Sequence, residues 1–322
     1  MKKRFVALLM AALMGTIGLA GCGNAEQTAD TSNQAQQSEE AQTIQADEEG
    51  AAVTEAAAAD TAILVVSFGT SYNDNRDITI GAVEEAIAKA FPEYEVRRAF
   101  TSQIIIDILA EREGLKIDNV EEALDRAVTD GVKNLVVQPT HLMNGYEYTD
   151  LINALTDYEG SFDQIAVGEP LLISDGDFEA VAKAITERTA DYADKETAIC
   201  YMGHGTEAES NGVYARLQEI LSASGYDDYY IGTVEAEPTL EDVMAALEKN
   251  GGYKKVVLAP LMLVAGDHAN NDMAGDEEDS WKSILTAEGY EVEPIIEGLG
   301  QIPAIQNIYV EHTRAAVDSL AK

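Results

Sequence analysis

The stretch that most restricts the fold is Val256–Val257–Leu258–Ala259–Pro260–Leu261–Met262–Leu263–Val264–Ala265–Gly266–Asp267–His268. A continuous apolar run that opens on β-branched residues is the pattern of a strand buried on both faces of a parallel sheet. The run stops at Gly266 and presents Asp267 and His268 where the strand is expected to give out. Ligand sites of open α/β sheets lie beyond the carboxyl ends of strands. A histidine placed there can bind a metal or accept a proton.

The chain carries a shifted copy of this stretch from Lys133 to Glu147. At one constant offset, Lys133 matches Lys254, Pro139 matches Pro260, Gly145 matches Gly266 and Glu147 matches His268. Ser67–Phe68–Gly69–Thr70 and Gly203–His204–Gly205–Thr206 form a second pair, each after a short apolar strand. Short α/β pieces also resemble one another by chance, but the constant offset favours two related halves, and a repeat constrains the fold. Only the second half has histidine at both matched positions; the first has Phe68 and Glu147.

Strand and helix alternate throughout. Strands are expected at 62–67, 94–99, 135–139, 164–167, 197–202, 229–234, 255–259 and 291–296. Helices are expected at 74–90, 102–113, 120–129, 146–158, 178–192, 208–224, 240–249, 276–287 and 302–320. Such alternation implies right-handed crossovers and a mostly parallel sheet in each half. The fold class is therefore α/β, with a mostly parallel sheet in each half, and the length from Thr61 onward suits one large domain or two small lobes.

The front of the chain has a different character. Met1–Lys2–Lys3–Arg4 is basic, Phe5 to Leu19 is apolar but too short to span a bilayer, and Leu19–Ala20–Gly21–Cys22 follows. Residues 1–22 read as a bacterial lipoprotein signal that leaves Cys22 as the lipidated N-terminus. An ordinary signal peptide with an incidental cysteine is the plainer alternative. Residues 23–60 read as a disordered acidic tether, with nine acids, no Lys or Arg and no aromatic residue. The protein is thus expected to be extracytoplasmic and anchored to a membrane by lipid.

Charge excludes one class of partner. The chain has 58 acidic and 21 basic side chains; with the nine acids of the tether and the three bases of the signal set aside, 49 acids face 18 bases, a net −31. Nucleic acid is not a partner for such a domain. Anionic lipid is repelled too, so attachment rests on the acyl chains. Cys200 stands alone in a strand and reads as a small core residue.

Four histidines are present: His141, His204, His268 and His312. His204 and His268 follow strands of the second half, and a third strand of that half, Tyr230 to Val234, ends in Glu235, so three strands of one sheet are expected to deliver the three residues to the same edge. Two imidazoles and a carboxylate suit Zn²⁺, Co²⁺, Ni²⁺ or Fe²⁺. Each residue alone is as readily a hydrogen-bonded loop side chain; convergence of all three is harder to ascribe to accident. His141 follows the matching strand of the first half and borders the expected cleft, whereas His312 is expected to be exposed. Arg97–Arg98 and Lys254–Lys255 read as surface charges, and Asp276–Glu277–Glu278–Asp279 as a solvated helix start. No dinucleotide fingerprint, Walker loop or nucleophile elbow is present, so no nucleotide cofactor is expected.

Several stretches carry a family resemblance. They are Leu64 to Tyr72, Arg98–Ala99–Phe100–Thr101–Ser102, Asn144–Gly145 with Glu147–Tyr148, Met202–Gly203–His204–Gly205, Val234–Glu235 with Pro238, Pro260 to Ala269 with Asn271–Asp272–Met273, Asp279–Ser280–Trp281–Lys282, and Gly298–Leu299–Gly300 with Pro303–Ala304–Ile305. In these the chain resembles the sirohydrochlorin cobaltochelatases of anaerobic cobalamin synthesis, in the class II chelatase superfamily that includes ferrochelatase. The resemblance covers the chain from Thr61 onward.

It implies two Rossmann-like lobes, 61–192 and 193–322, with a cleft between them that takes a flat tetrapyrrole, and with Co²⁺ as the substrate metal and Fe²⁺, Ni²⁺ or Zn²⁺ as alternatives. It implies His204, Glu235 and His268 as metal ligands and His204 as the base for the pyrrole protons. Phe68, His141, Glu147 and Arg216 are the candidates to contact the tetrapyrrole, with Arg76 a second basic candidate. Cobalamin synthesis is cytoplasmic, and an export signal does not belong to it. A surface lipoprotein that captures metal or a tetrapyrrole such as haem for uptake, beside a metal or haem transporter, therefore stands as the alternative. A homo-oligomer is a further expectation.

Overall fold

The computed structural model describes residues 60–320, so the leader and nearly all of the tether lie outside the described residues. Among the described residues, eight strands and ten α-helices follow in chain order. The first half runs β1 (Thr61–Ser67), α1 (Asn73–Arg76), a π-helical turn (Asp77–Gly81), α2 (Ala82–Ala90), β2 (Glu95–Phe100), α3 (Gln103–Glu113), α4 (Val120–Thr129), β3 (Asn134–Pro139), α5 (Tyr146–Asp157), β4 (Gln164–Val167) and α6 (Asp175–Arg188). The second runs β5 (Thr197–Gly203), α7 (Gly212–Ala223), β6 (Tyr229–Thr233), α8 (Leu240–Asn250), β7 (Lys255–Pro260), a π-helical turn (Ala269–Met273), α9 (Trp281–Ala287), β8 (Glu291–Pro294) and α10 (Pro303–Leu320).

The strands form two parallel sheets, ordered β2-β1-β3-β4 and β6-β5-β7-β8. The orders are the same with the numbering advanced by four, as two related halves require. The likeness extends into the loops. The Thr101 and Ser102 amides donate to the Ser67 and Phe68 carbonyls at 2.9 and 3.2 Å, and the Val234 and Glu235 amides donate to Gly203 and His204 at 3.0 and 2.9 Å. Leu171 donates to His141 at 3.0 Å as Leu299 donates to Met262 at 2.8 Å.

The strands are apolar throughout because both of their faces are buried. Along β7, Val256 and Leu258 join one core with α8 and α9, while Val257 and Ala259 join the large core between the two sheets. In β1, Ala62, Leu64 and Val66 face α4 and α5, and Ile63 and Val65 face inward. Each Val, Leu or Ile side chain among these contributes about 1.5–3 kcal/mol by leaving water. Side-chain caps set helix starts: Asn119 with Glu122 begins α4, Ser174 with Asp177 begins α6, and Thr239 with Asp242 begins α8. Cys200 is buried in β5.

Four expectations require correction. The β7 strand ends at Pro260, and 261–266 is loop; His268 opens a helical turn instead of closing the strand. The loop is apolar because Leu261 enters the central core and Leu263 and Val264 pack on Ile80 and Phe100 of the first half. Packing continues across residues 192 and 193. α6 packs on α7, and its end accepts the Tyr201 hydroxyl at the Ile185 carbonyl (2.9 Å), while α10 returns to cover β3, β4 and α2. His312 is not exposed: its ring lies between the Glu169 carbonyl (3.0 Å) and Asp177 (3.1 Å). Arg97 and Arg98 are largely covered, Arg97 by Glu95 and Asp130 and Arg98 by Glu84. Helix α9 starts at Trp281, capped by Ser280, and the acidic run before it is a turn whose Asp276 accepts from Lys282 at 2.6 Å.

Candidate metal centre and cleft

The carboxyl ends of β5, β6 and β7 converge on one side of a cleft of about 500 Å³. β5 delivers His204 immediately after its last residue. Beyond β6, the backbone bond from Glu235 to His204 fixes Glu235 beside it. Gly205 makes this approach possible: its φ is +86°, and a Cβ there would sit 2.8 Å from the Ala236 nitrogen. The loop beyond β7 delivers His268.

One ligand atom from each of His204, Glu235 and His268 lies within 4.8 Å of the other two. The imidazole rings meet edge to face at 4.7 Å, and His204 Nδ1 is 4.0 Å from Glu235. Both rings are oriented from behind. His204 Nδ1 is 2.8 Å from the Gly205 carbonyl and His268 Nδ1 is 2.6 Å from Asp272. A carbonyl and a carboxylate can only accept, so each Nδ1 carries the hydrogen and each Nε2 keeps its lone pair for a metal. Asp272 was legible in principle, four residues after His268 on a helical turn.

Asp272→Ala is expected to weaken divalent-metal binding about 10–100-fold, the usual loss for a carboxylate behind a ligating histidine. Calorimetric titration of the folded variant checks this, and unchanged affinity would deny Asp272 that task.

The first half supplies the facing wall. Phe68, His141 and Glu147 all line the cleft. By the matched backbone bonds, Phe68, Ser102 and Glu147 stand where His204, Glu235 and His268 stand in the second half. Ser102 instead caps α3 through its hydroxyl. Desolvation raises the Glu147 carboxyl above its ordinary value, opposed by nearby His204 and aided by Asp150. Burial pulls His141 down to about 4, so this imidazole is neutral at pH 7, and neither ring nitrogen has a partner among the described residues.

Neither basic candidate reaches the cleft lining. Arg216 pairs with Asp175 and lies over the Phe178 ring at 4.4 Å, fastening α7 to α6. Arg76 is buried between Asp77 (3.5 Å) and Glu113 (3.6 Å). Each has an acid of its own within reach, and that partner was not visible in sequence spacing. Tyr146 and Glu207 line the cleft without having been singled out, and Tyr72 and Asp267, named in the sequence only as part of longer stretches, line it too. Tyr72 and Asp267 meet across it at 3.3 Å.

Known proteins give this geometry a context. The family described as Cobalt chelatase (CbiK) matches residues 61–318. The sirohydrochlorin cobaltochelatase of Salmonella typhimurium is 36% identical over 257 residues, 80% of this chain and 96% of that protein. The sirohydrochlorin cobaltochelatase CbiKC of Nitratidesulfovibrio vulgaris is 34% identical over 261 residues, 80% of this chain and 91% of that protein. Among solved structures, SirB from Bacillus subtilis with Fe³⁺ superposes with a TM-score of 0.58 at 17% identity, over 81% of this chain and 98% of that one, a likeness of fold. With a family match across the whole described body and relatives above 30% identity along nearly their full length, this chain belongs to the cobalt chelatase family.

Proposed function

We propose that the protein is a metal chelatase that inserts Co²⁺ into sirohydrochlorin or a related tetrapyrrole, and that it works outside the cytoplasm on a lipid anchor at Cys22. The observation that carries the chemistry is the convergence of His204, Glu235 and His268 within 4.8 Å on one wall of a cleft, in a chain of this family. Insertion requires that the metal lose its water and that two pyrrole N–H protons leave. Two imidazole Nε2 atoms and a carboxylate form a partial ligand set, which holds a dication and still lets it go. His204 accepts a pyrrole proton only as the metal passes to the ring: its Nδ1 is committed to the Gly205 carbonyl, so the Nε2 lone pair that held the metal is the one freed to take the proton, and the second proton leaves to water. Fe²⁺, Ni²⁺ and Zn²⁺ suit the same donors.

The opposite wall receives the ring. Phe68 offers a flat apolar surface where the second half has His204, so metal is held on one side of the ring alone. Full-length protein in detergent, mixed with sirohydrochlorin and Co²⁺, should give the absorbance change of metal insertion. A ring that binds with no such change at any metal concentration would favour the second reading, capture of metal or tetrapyrrole for an uptake system. That reading draws on the sequence Leu19–Ala20–Gly21–Cys22 behind a basic, apolar leader.

The anchor has its own test. Cys22→Ala should leave the precursor unprocessed or release the protein from the membrane fraction. A variant that fractionates and carries lipid as before would remove the anchor from the proposal.

A further inference from the structure

The cleft read above as a metal-insertion site has an unexpected charge for a polycarboxylate substrate. Its lining includes four carboxylates, Glu147, Glu207, Glu235 and Asp267, and among the described residues no lysine or arginine. The arginines around it are already committed. Arg98 is held by Glu84 at 2.7 Å, Arg112 by Asn73 at 2.9 Å together with Glu113 and the Ser71 carbonyl, and Arg76 and Arg216 by the acids named above. The positive end of α5 opens on the cleft, but Glu147 occupies its first turn. What the cleft does offer is apolar surface: Phe68 is 48% exposed and Tyr146 60% exposed, with Leu142, Met262 and Leu263 between the lobes.

We infer that this protein recognises its tetrapyrrole by the face of the ring, with the peripheral carboxylates left toward solvent, so that the cleft repels the charge of one substrate while attracting that of the other. The inference rests on the metal-insertion reading and adds how the substrate is selected. Its physical content is a pair of opposite responses to salt. Raising ionic strength from about 0.01 to 0.15 M shortens the screening length from about 30 to about 8 Å. Repulsion between cleft carboxylates and ring carboxylates fades, and so does attraction of the dication.

The test is initial-rate kinetics of Co²⁺ insertion into sirohydrochlorin with the full chain in detergent, at the two ionic strengths. With Co²⁺ saturating, KM for the tetrapyrrole should fall about two- to fivefold as salt rises; with the tetrapyrrole saturating, KM for Co²⁺ should rise by a similar factor. Glu207→Gln should lower the tetrapyrrole KM at low salt and flatten its salt response, and should raise the KM for Co²⁺. A tetrapyrrole bearing fewer carboxylates should respond less. A tetrapyrrole KM that rises with salt, or stays flat, overturns the inference, because it would require cations paired with the carboxylates. If no metal is inserted at either ionic strength, the proposed activity fails instead. Ring binding followed by absorbance then decides the inference alone: weaker binding at low salt supports it, and equal or tighter binding at low salt overturns it.

Discussion

Replacing His204 with alanine should slow cobalt insertion about 10²–10⁴-fold, the usual contribution of a positioned general base. The ring deleted is 49% exposed at the cleft, so no core cavity follows and circular dichroism should match the wild type. His268→Ala should act chiefly through the metal, raising the Co²⁺ concentration needed for half-maximal rate. The two losses should not multiply. His204 and His268 touch edge to face and share Glu235, and residues that act as a unit are non-additive. The measurement is initial rate against Co²⁺ concentration for both single variants and the double. A folded His204→Ala protein with full activity would sink the mechanism and leave the uptake reading standing.

The second large effect falls on a residue with no side chain. Gly205→Ala should lower stability by about 2–4 kcal/mol, from an alanine forced to positive φ and a methyl group with no room. The backbone stands at φ +86°, and the new carbon would meet the Ala236 nitrogen and the Thr233 hydroxyl, each at 2.8 Å. Relief has one direction, parting the His204 turn from the Glu235 loop, so Co²⁺ affinity should fall with stability. Gly212→Ala is the control. Nothing lies within 4 Å of a Cβ there and its φ is not positive, so the change should be neutral or slightly stabilising. Urea midpoints and Co²⁺ titrations on the two variants check this. Equal midpoints for Gly205→Ala and wild type would show that the turn is not held as described.

The convergence of His204, Glu235 and His268 was legible because its information is local. Each of His204, Glu235 and His268 follows an apolar strand at short range, and strands buried on both faces announce themselves as runs. Where the reading failed, the decisive partner lay far along the chain. Residues 261–266 look like strand because they are apolar, but Leu261 is apolar to enter the central core and Leu263 and Val264 to join the cluster of Ile80 and Phe100, from more than 160 positions earlier in the chain. Arg216 looked free because Asp175 and Phe178 are distant in sequence, and His312 looked exposed because Glu169 and Asp177 are. The exchange of helices between the halves left no mark at all, since an apolar helix face reads the same whichever sheet it covers.

That exchange bears on when the protein can become compact. The helix covering β3 and β4 of the first sheet is α10, which is synthesised after every other described element. Until residue 320 has been made, Ile305, Ile308 and Tyr309 are missing from the central core, and the Thr140 carbonyl lacks the Tyr309 hydroxyl that donates to it at 2.9 Å. The half that is translated first is therefore completed last. A nascent chain of this protein stays unfinished for nearly its whole length, and this suits the export proposed above, because a channel that threads unfolded polypeptide has until the final helix to do so.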